Sequence, residues 1–347
     1  MRYRIFDISL RLFFVLMLAS SLGCSGGSGD SGLPDPVTYR YEQPAANGDT
    51  WTTGHAADEG LDVARIESMM NAIPGNHFGL IDSIAVARNG RIVLDETIRT
   101  RVDGEDSRVG NTDLQMHAQF STVKSITALA VGIAIERGYL AGVDAPFLDF
   151  FPYSTYANWD DRKSDITLGH VLAMQAGLAW NEWAPPYSSS DNLLIRFYVA
   201  EYDYAKALLD LPLAADPGTA FAYNTVASIS LAQAIENMAP LSFVDFGLSE
   251  LVTPLGISRV EFLTTPTGLP NAGGGFYFRT RDMAKFGQLV LDGGTWNGNR
   301  IVDSAWIDTM LESRSALGWQ NPEAWPWKLD GYGYQWWLGH YEPVSYT

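Results

Sequence analysis

Apolar and polar positions change period several times along the chain, and each change marks an element. Between Leu61 and Ile73 the apolar residues Leu61, Ile66, Met69, Met70 and Ile73 recur at helical spacing. The stretch SIAVARNGRIVLDE then alternates on either side of Asn89-Gly90, the dipeptide best suited to a two-residue hairpin turn. From Ser121 to Ile135 nearly every position is apolar. A helix of that composition is buried on most sides and belongs in the middle of a domain. Gly138 closes it. ITLGHVLAMQAGL reads as a second helix, with Thr167 as its cap and Gly177 as its stop. Further helices are expected over Leu193 to Leu209, over Val226 to Met238 and within RIVDSAWIDTMLES. GGGFYFRTRDMAKFGQLVLDGG passes from glycines into a short strand and then a helix capped by Thr280. The order is strands, many helices, then the aromatic GYGYQWWLG, with no internal repeat and no second hydrophobic onset that demands another domain.

The N-terminal pattern differs in kind. Arg2, Arg4 and Arg11 precede the apolar run from Leu12 to Leu18, and small residues lead to Gly23-Cys24. That order predicts an export leader over residues 1–23. SSLGC is similar to a bacterial lipoprotein processing site, which makes Cys24, the only cysteine, a lipidation candidate; export with an unpaired Cys24 is the simpler alternative. Ser25 to Gly29 and the Ser/Gly/Pro-rich residues up to 50 read as a tether. Residues 51–347 are then the folded domain. The expected location is outside the cytoplasm, at the periplasm or outer membrane, with a membrane contact through the lipid.

Composition narrows the choice of partners. With 347 residues, 46 % of them hydrophobic, the chain can bury a sizeable core. Its formal net charge of −17 repels a phosphate backbone, and no basic stripe with interleaved aromatics occurs, so nucleic-acid binding is excluded. The five histidines show no metal-ligand spacing, and Gly273, Gly274 and Gly275 lack the strand and downstream acid of a dinucleotide site. No metal and no cofactor are expected.

Ser121 and Lys124 lie three residues apart and would share one helix face. Two readings are open. A serine hydroxyl becomes a nucleophile when a neighbouring base takes its proton, and a lysine can be that base if burial lowers its pKa. Alternatively Ser121 caps the helix and Lys124 points into solvent from its first turn. Tyr223-Asn224, after the Pro217-Gly218 turn, could deliver a phenol that relays protons, with Asn224 orienting it or binding substrate. The aromatic segment 180–210 carries Trp180, Trp183 and Tyr187, candidates for the pocket wall that favour an apolar or flat acyl or amide group.

These phrases together resemble the serine beta-lactamase-related hydrolases, the class C-like group that includes beta-lactamases, D,D-peptidases, esterases and 6-aminohexanoate-dimer hydrolases. Ser121-Thr122-Val123-Lys124 matches its nucleophile motif and Tyr223-Asn224-Thr225 its tyrosine motif. ITLGHVLAMQAGLAWNE, PGTAFAYNT and YGYQWWLG match flanking phrases, over roughly residues 55 to 340. The resemblance implies an α/β fold with an antiparallel sheet flanked by helices and a largely helical subdomain. It implies a small ester or amide substrate attacked by Ser121, with Lys124 and Tyr223 moving the proton. The family's third motif, His/Lys-x-Gly on a wall strand, has no match before Thr347, so the last strands and the C-terminal helix are expected to be missing. A non-catalytic envelope binding lipoprotein of the same shape is the alternative function.

Overall fold

The computed structural model describes residues 2–6, 38–73, 81–98, 116–316 and 327–341. Cys24 and most of the expected leader and tether lie outside the described residues. The chain forms two compact units, Arg11–Arg101 and Met1–Leu10 with Val102–Thr347. The chain opens with strand β1 (Arg2–Phe6), which belongs to the larger unit.

The smaller unit is a helix and a hairpin that bury their apolar faces on each other. Helix α1 (Val63–Ala72) starts at Asp62, whose carboxylate accepts from the Ala64 and Arg65 N–H groups. Strands β2 (Ser83–Arg88) and β3 (Arg91–Thr97) pair antiparallel. Asn89 and Gly90 take φ values of 52° and 75°, the left-handed pair that such a turn demands. Met70, Ile73 and Leu94 form the buried centre, with Tyr39, Ile66 and Ile84 packed around them.

In the larger unit, strands β4 (Met116–Ala118), β5 (Arg259–Leu263) and β6 (Phe276–Arg279) stand with β1 in the order β1-β5-β6-β4. β6 pairs antiparallel with both β4 and β5, whereas β1 runs parallel to β5. The sheet is therefore mixed, not antiparallel throughout as the resemblance implied. A parallel neighbour needs a long crossover connection, and the chain between residues 6 and 259 supplies it.

Helix α2 (Val123–Glu136) is buried from Val123 to Ala134 except at Ser125 and Ile126. After it come α3 (Leu168–Leu172), α4 (Leu193–Val199), α5 (Tyr204–Leu209), α6 (Thr225–Met238) and α7 (Phe243–Gly247). α2 packs on α6, the other helix that is buried nearly all round. Then follow α8 (Thr280–Leu291), the hairpin of β7 (Thr295–Trp296) and β8 (Asn299–Arg300), and α9 (Ser304–Met310). Trp306 of α9 lies over Gly132 of α2 and donates to the Ala128 carbonyl at 3.0 Å; a Cβ at Gly132 would fall 2.1 Å from its ring. Strands β9 (Ser315–Ala316), β10 (Trp327–Tyr332) and β11 (Trp337–Tyr341) make a separate antiparallel sheet.

Three helix expectations change. α3 has five residues only, because Met174 turns left-handed at φ 59°; Thr167 does cap it, with the His170 ring reciprocating. The single helix expected from Leu193 to Leu209 is two, since Ala200 is extended and Asp203 caps a fresh start. Thr280 is the first residue of α8, and Arg279 holds the cap position. Among the described residues no helix is long and apolar enough to cross a membrane, and no cluster of three or more metal-ligating side chains occurs.

Candidate active site

The backbone enters α2 through a 3-10 turn, Phe120–Thr122. Gln119 N–H bonds the Phe276 carbonyl at 2.9 Å and so fixes the turn to β6. Phe120 sits at φ 42°, a left-handed value costly for a residue with a Cβ, directly before Ser121. Gly274 lies against it: a Cβ there would be in van der Waals contact, 3.4 Å from the Phe120 carbonyl carbon. Thr122, not Ser121, occupies the helix cap, and it makes no side-chain capping bond. Ser121 is exposed and Lys124 is 1 % exposed, so the outward-pointing reading of Lys124 fails. The Lys124 Nζ donates to Ser121 Oγ at 3.1 Å and to the Gly273 carbonyl at 2.6 Å. Position 273 requires glycine for that approach, since a Cβ would come within 2.6 Å of the Thr225 methyl.

The N-terminal approach to α6 brings in the third group. The Tyr223 phenol hydrogen-bonds the Ser121 hydroxyl, and Lys124 Nζ lies 4.9 Å from the centre of the tyrosine ring. Trp183 and Trp337 stack on that ring at 5.4 and 5.5 Å, and Tyr332 meets it edge-on at 6.4 Å. Asn224 is the cap of α6, its Oδ1 accepting from Ala227 N–H at 3.0 Å. Of the sequence candidates, Ser121, Lys124, Tyr223 and Trp183 thus come together. Trp183 is 43 % exposed beside the site, whereas Trp180 is buried edge-on against Phe197. Tyr187 reaches the group only through a carboxylate that sequence reading did not single out.

That carboxylate is Glu182, 2 % exposed. It accepts from the Thr225 N–H and hydroxyl, both at 2.6 Å, from the Tyr187 hydroxyl at 3.1 Å and from the Trp180 indole at 3.4 Å. Gln335 is a second buried residue missed in sequence. Its Oε1 accepts from Ser228 of α6 at 2.6 Å, its carbonyl from Ser125 of α2 at 2.9 Å, and its amide donates to the Leu172 carbonyl at 2.9 Å. It joins α2, which carries Lys124, to α6, whose N-terminal approach carries Tyr223. The signal for both was a polar residue inside an aromatic phrase, WNEW and YGYQWW.

The electrostatics follow from burial. Desolvation brings the Lys124 amine down to about 8, against an upward pull from Glu182. Desolvation pushes the Tyr223 phenol up to about 12, opposed by its bond to Ser121 and reinforced by Glu182. Near neutrality the site therefore pairs an amine that is partly neutral with a phenol that keeps its proton. Such a pair can accept a proton from Ser121 Oγ and hand one on.

The chain is similar to known proteins in sequence and in fold. A 6-aminohexanoate-dimer hydrolase from Paenarthrobacter ureafaciens is 28 % identical over 227 residues, 63 % of this chain and 57 % of the relative. The chain thus spans little more than half the length of that relative. Among solved structures, the hydrolase EstCE1, described as having promiscuous acyltransferase activity, superposes with a TM-score of 0.60 at 19 % identity, over 80 % of this chain and 82 % of its own. An octameric penicillin-binding protein homologue from Pyrococcus abyssi gives 0.54 at 18 % identity, over 79 % and 64 %. At these identities the likeness is one of fold, an α/β beta-lactamase/transpeptidase-like fold with a mixed sheet and flanking helices. The Beta-lactamase family model matches residues 68–345, and the chain belongs to that family.

Proposed function

We propose that this protein is a serine hydrolase that cleaves a small ester or amide through an acyl-enzyme on Ser121. The observation that carries the reading is the buried Lys124 amine, 3.1 Å from an exposed hydroxyl that also bonds Tyr223. In this reaction neutral Lys124 takes the Ser121 proton as Oγ attacks the carbonyl. The Ser121 N–H, at the entrance to α2, stabilises the oxyanion. The proton passes from Lys124 through the Tyr223 phenol to the departing amine or alkoxide, the carbonyl–leaving-group bond breaks, and the acyl-enzyme remains. Water then gives a proton back along the same pair, attacks the acyl carbon and releases Ser121.

Trp183, Trp337 and Tyr223 form a flat aromatic wall beside the nucleophile, suited to a planar ester or amide flanked by apolar chain. The 6-aminohexanoate-dimer hydrolase relative supports a linear amide as the first substrate to screen. Export and lipid anchoring at Cys24 complete the proposal, and replacing Cys24 with serine should release the protein from membranes.

The test is intact mass after exposure of the purified protein to a fluorophosphonate. A stoichiometric adduct on the wild type, absent from Ser121→Ala and at least about 10²-fold slower in Lys124→Ala, is expected. A folded wild-type protein that takes no adduct overturns the reading and leaves the binding lipoprotein in its place.

A further inference from the structure

Glu182 has more donors than a surface acid and a more central place than a packing residue. We propose that Glu182 is a positioning residue of this site: its buried carboxylate pins the Tyr223–Thr225 segment to the 180–187 loop and is the negative charge that Lys124 faces. The inference rests on the serine-hydrolase reading for its catalytic meaning, but its physical content does not.

Four donors meet this one carboxylate, and they come from two separate stretches of chain. Trp180 and Tyr187 lie in the loop that contains Glu182, whereas Thr225 is the first residue of α6. A carboxylate on the first N–H of a 14-residue helix also meets the positive end of the helix dipole. The next residues toward the N-terminus are Asn224, which caps the helix, and Tyr223, which reaches Ser121. Glu182 therefore sets where the phenol stands. The side-chain amide of Asn192 completes the anchor by donating to the Glu182 backbone carbonyl at 2.8 Å.

The same charge acts on Lys124. The groups around the amine are Ser121 from its own turn, Tyr223 from the approach to α6, the Gly273 carbonyl from the segment before β6 and Glu182 from the 180–187 loop. Tyr187, Tyr198 of α4 and Tyr332 of β10 face the same carboxylate, and all three phenols are held above their ordinary value by burial, so they stay neutral. Glu182 is thus the one carboxylate among these groups. Desolvation alone would drive Lys124 further toward the neutral amine; the anion holds back part of that drop. The balance leaves an amine that can both accept the Ser121 proton and return it.

The test separates charge from shape. The Lys124 amine is followed by NMR of the full chain with carbon-13-labelled lysine, assigned by Lys124→Ala, and fluorophosphonate labelling rates are measured across the same pH range. Glu182→Gln should move the Lys124 midpoint to lower pH by about one unit, carrying the acid limb of labelling with it. Glu182→Asp keeps the charge but shortens the reach, so the midpoint should hold while labelling slows about tenfold or more. Tyr187→Phe removes one donor from the anion and leaves the helix anchor untouched; its midpoint should move upward. That variant decides the matter if Glu182→Gln does not fold. A Lys124 midpoint unmoved in Glu182→Gln, or in Tyr187→Phe where the other is unfolded, overturns the proposal. Absence of any adduct with a normal midpoint shift would instead refute the hydrolase reading and leave the coupling standing.

Discussion

Two lysines of the larger unit are equally buried and differ in their partners. Lys163, in the 3-10 turn Asp161–Asp165, and Lys124 are each 1 % exposed. Lys163 Nζ donates to the Ala157 and Leu209 carbonyls at 3.1 and 2.7 Å, with Asp210 and Asp160 close enough to pull its pKa up against desolvation. Lys124 has one carbonyl, one carboxylate at longer range, and a serine hydroxyl. The surroundings are alike even in their aromatics. An exposed Trp159 stacks on Tyr156 near Lys163, as Trp183 stacks on Tyr223 near Lys124. Burial and a lowered pKa are thus shared by both. What sets Lys124 apart is a bond that ends on a hydroxyl open to solvent, where the other lysine's bonds both end on backbone.

The sharpest way to break this contrast is to replace each lysine by methionine. Lys124→Met should lower fluorophosphonate labelling by about 10²- to 10⁴-fold, the usual worth of a general base. Lys163→Met should leave the labelling rate unchanged, but it strands the buried Leu209 carbonyl and should destabilise the fold by about 1–3 kcal/mol in urea unfolding. If Lys163→Met also abolished labelling in a folded protein, burial and not the hydroxyl partner would be the relevant property.

A pH profile sharpens the contrast further. Because the base must be neutral, labelling should rise about tenfold per pH unit up to a midpoint near 8 and then level. Tyr223, held near 12, should add no second limb below pH 10. The same shift has a stability counterpart. The folded amine titrates near 8 and the unfolded one near its ordinary 10.5, so between those values the unfolded chain binds more protons. This contribution is complete above 10.5 and is lost as the pH falls to about 8. Lys124→Met should flatten that part of the stability curve, and a midpoint near 10.5 in the labelling profile would refute a desolvated base.

How much of this was legible in the sequence follows from the range of the interactions involved. The Asn89-Gly90 hairpin, the buried α2 and the Thr167 cap rest on neighbours in the chain, and local pattern reveals them. The break at Ala200 was not legible, because an apolar helical spacing runs through it and only the Asp203 cap marks the restart. The parallel pairing of β1 with β5 joins residues far apart in the chain, Arg2 with Arg259, and no local pattern reveals it. Within the site, Ser121 and Lys124 are one helical turn apart and were visible as a pair, with two readings open. The burial that chooses between them comes from Gly273, Thr225 and Tyr223, about 100 to 150 residues away. Glu182 has two near neighbours among its donors, Trp180 and Tyr187, but its link to the site runs through Thr225, and Gln335 works through distant partners, so neither had a local signal beyond its polarity.

The smallest expected effect concerns the two exposed tryptophans. Stacking of Trp183 on Tyr223 contributes to the placement of a phenol that bonds the nucleophile, whereas Trp159 stacks on a tyrosine with no such bond. An aromatic pair is worth about 0.5–1.5 kcal/mol beyond its burial, or roughly two- to twelvefold in rate if all of it acts on the site. Trp183→Ala should therefore slow hydrolysis of a flat ester by that factor, mostly through a raised KM if the indole also walls the substrate. Trp183→Phe should recover most of the loss. Trp159→Ala should leave both constants at the wild-type value. Equal losses in the two alanine variants would mean that the indoles serve the fold alone, and the aromatic wall would then have no part in choosing substrate.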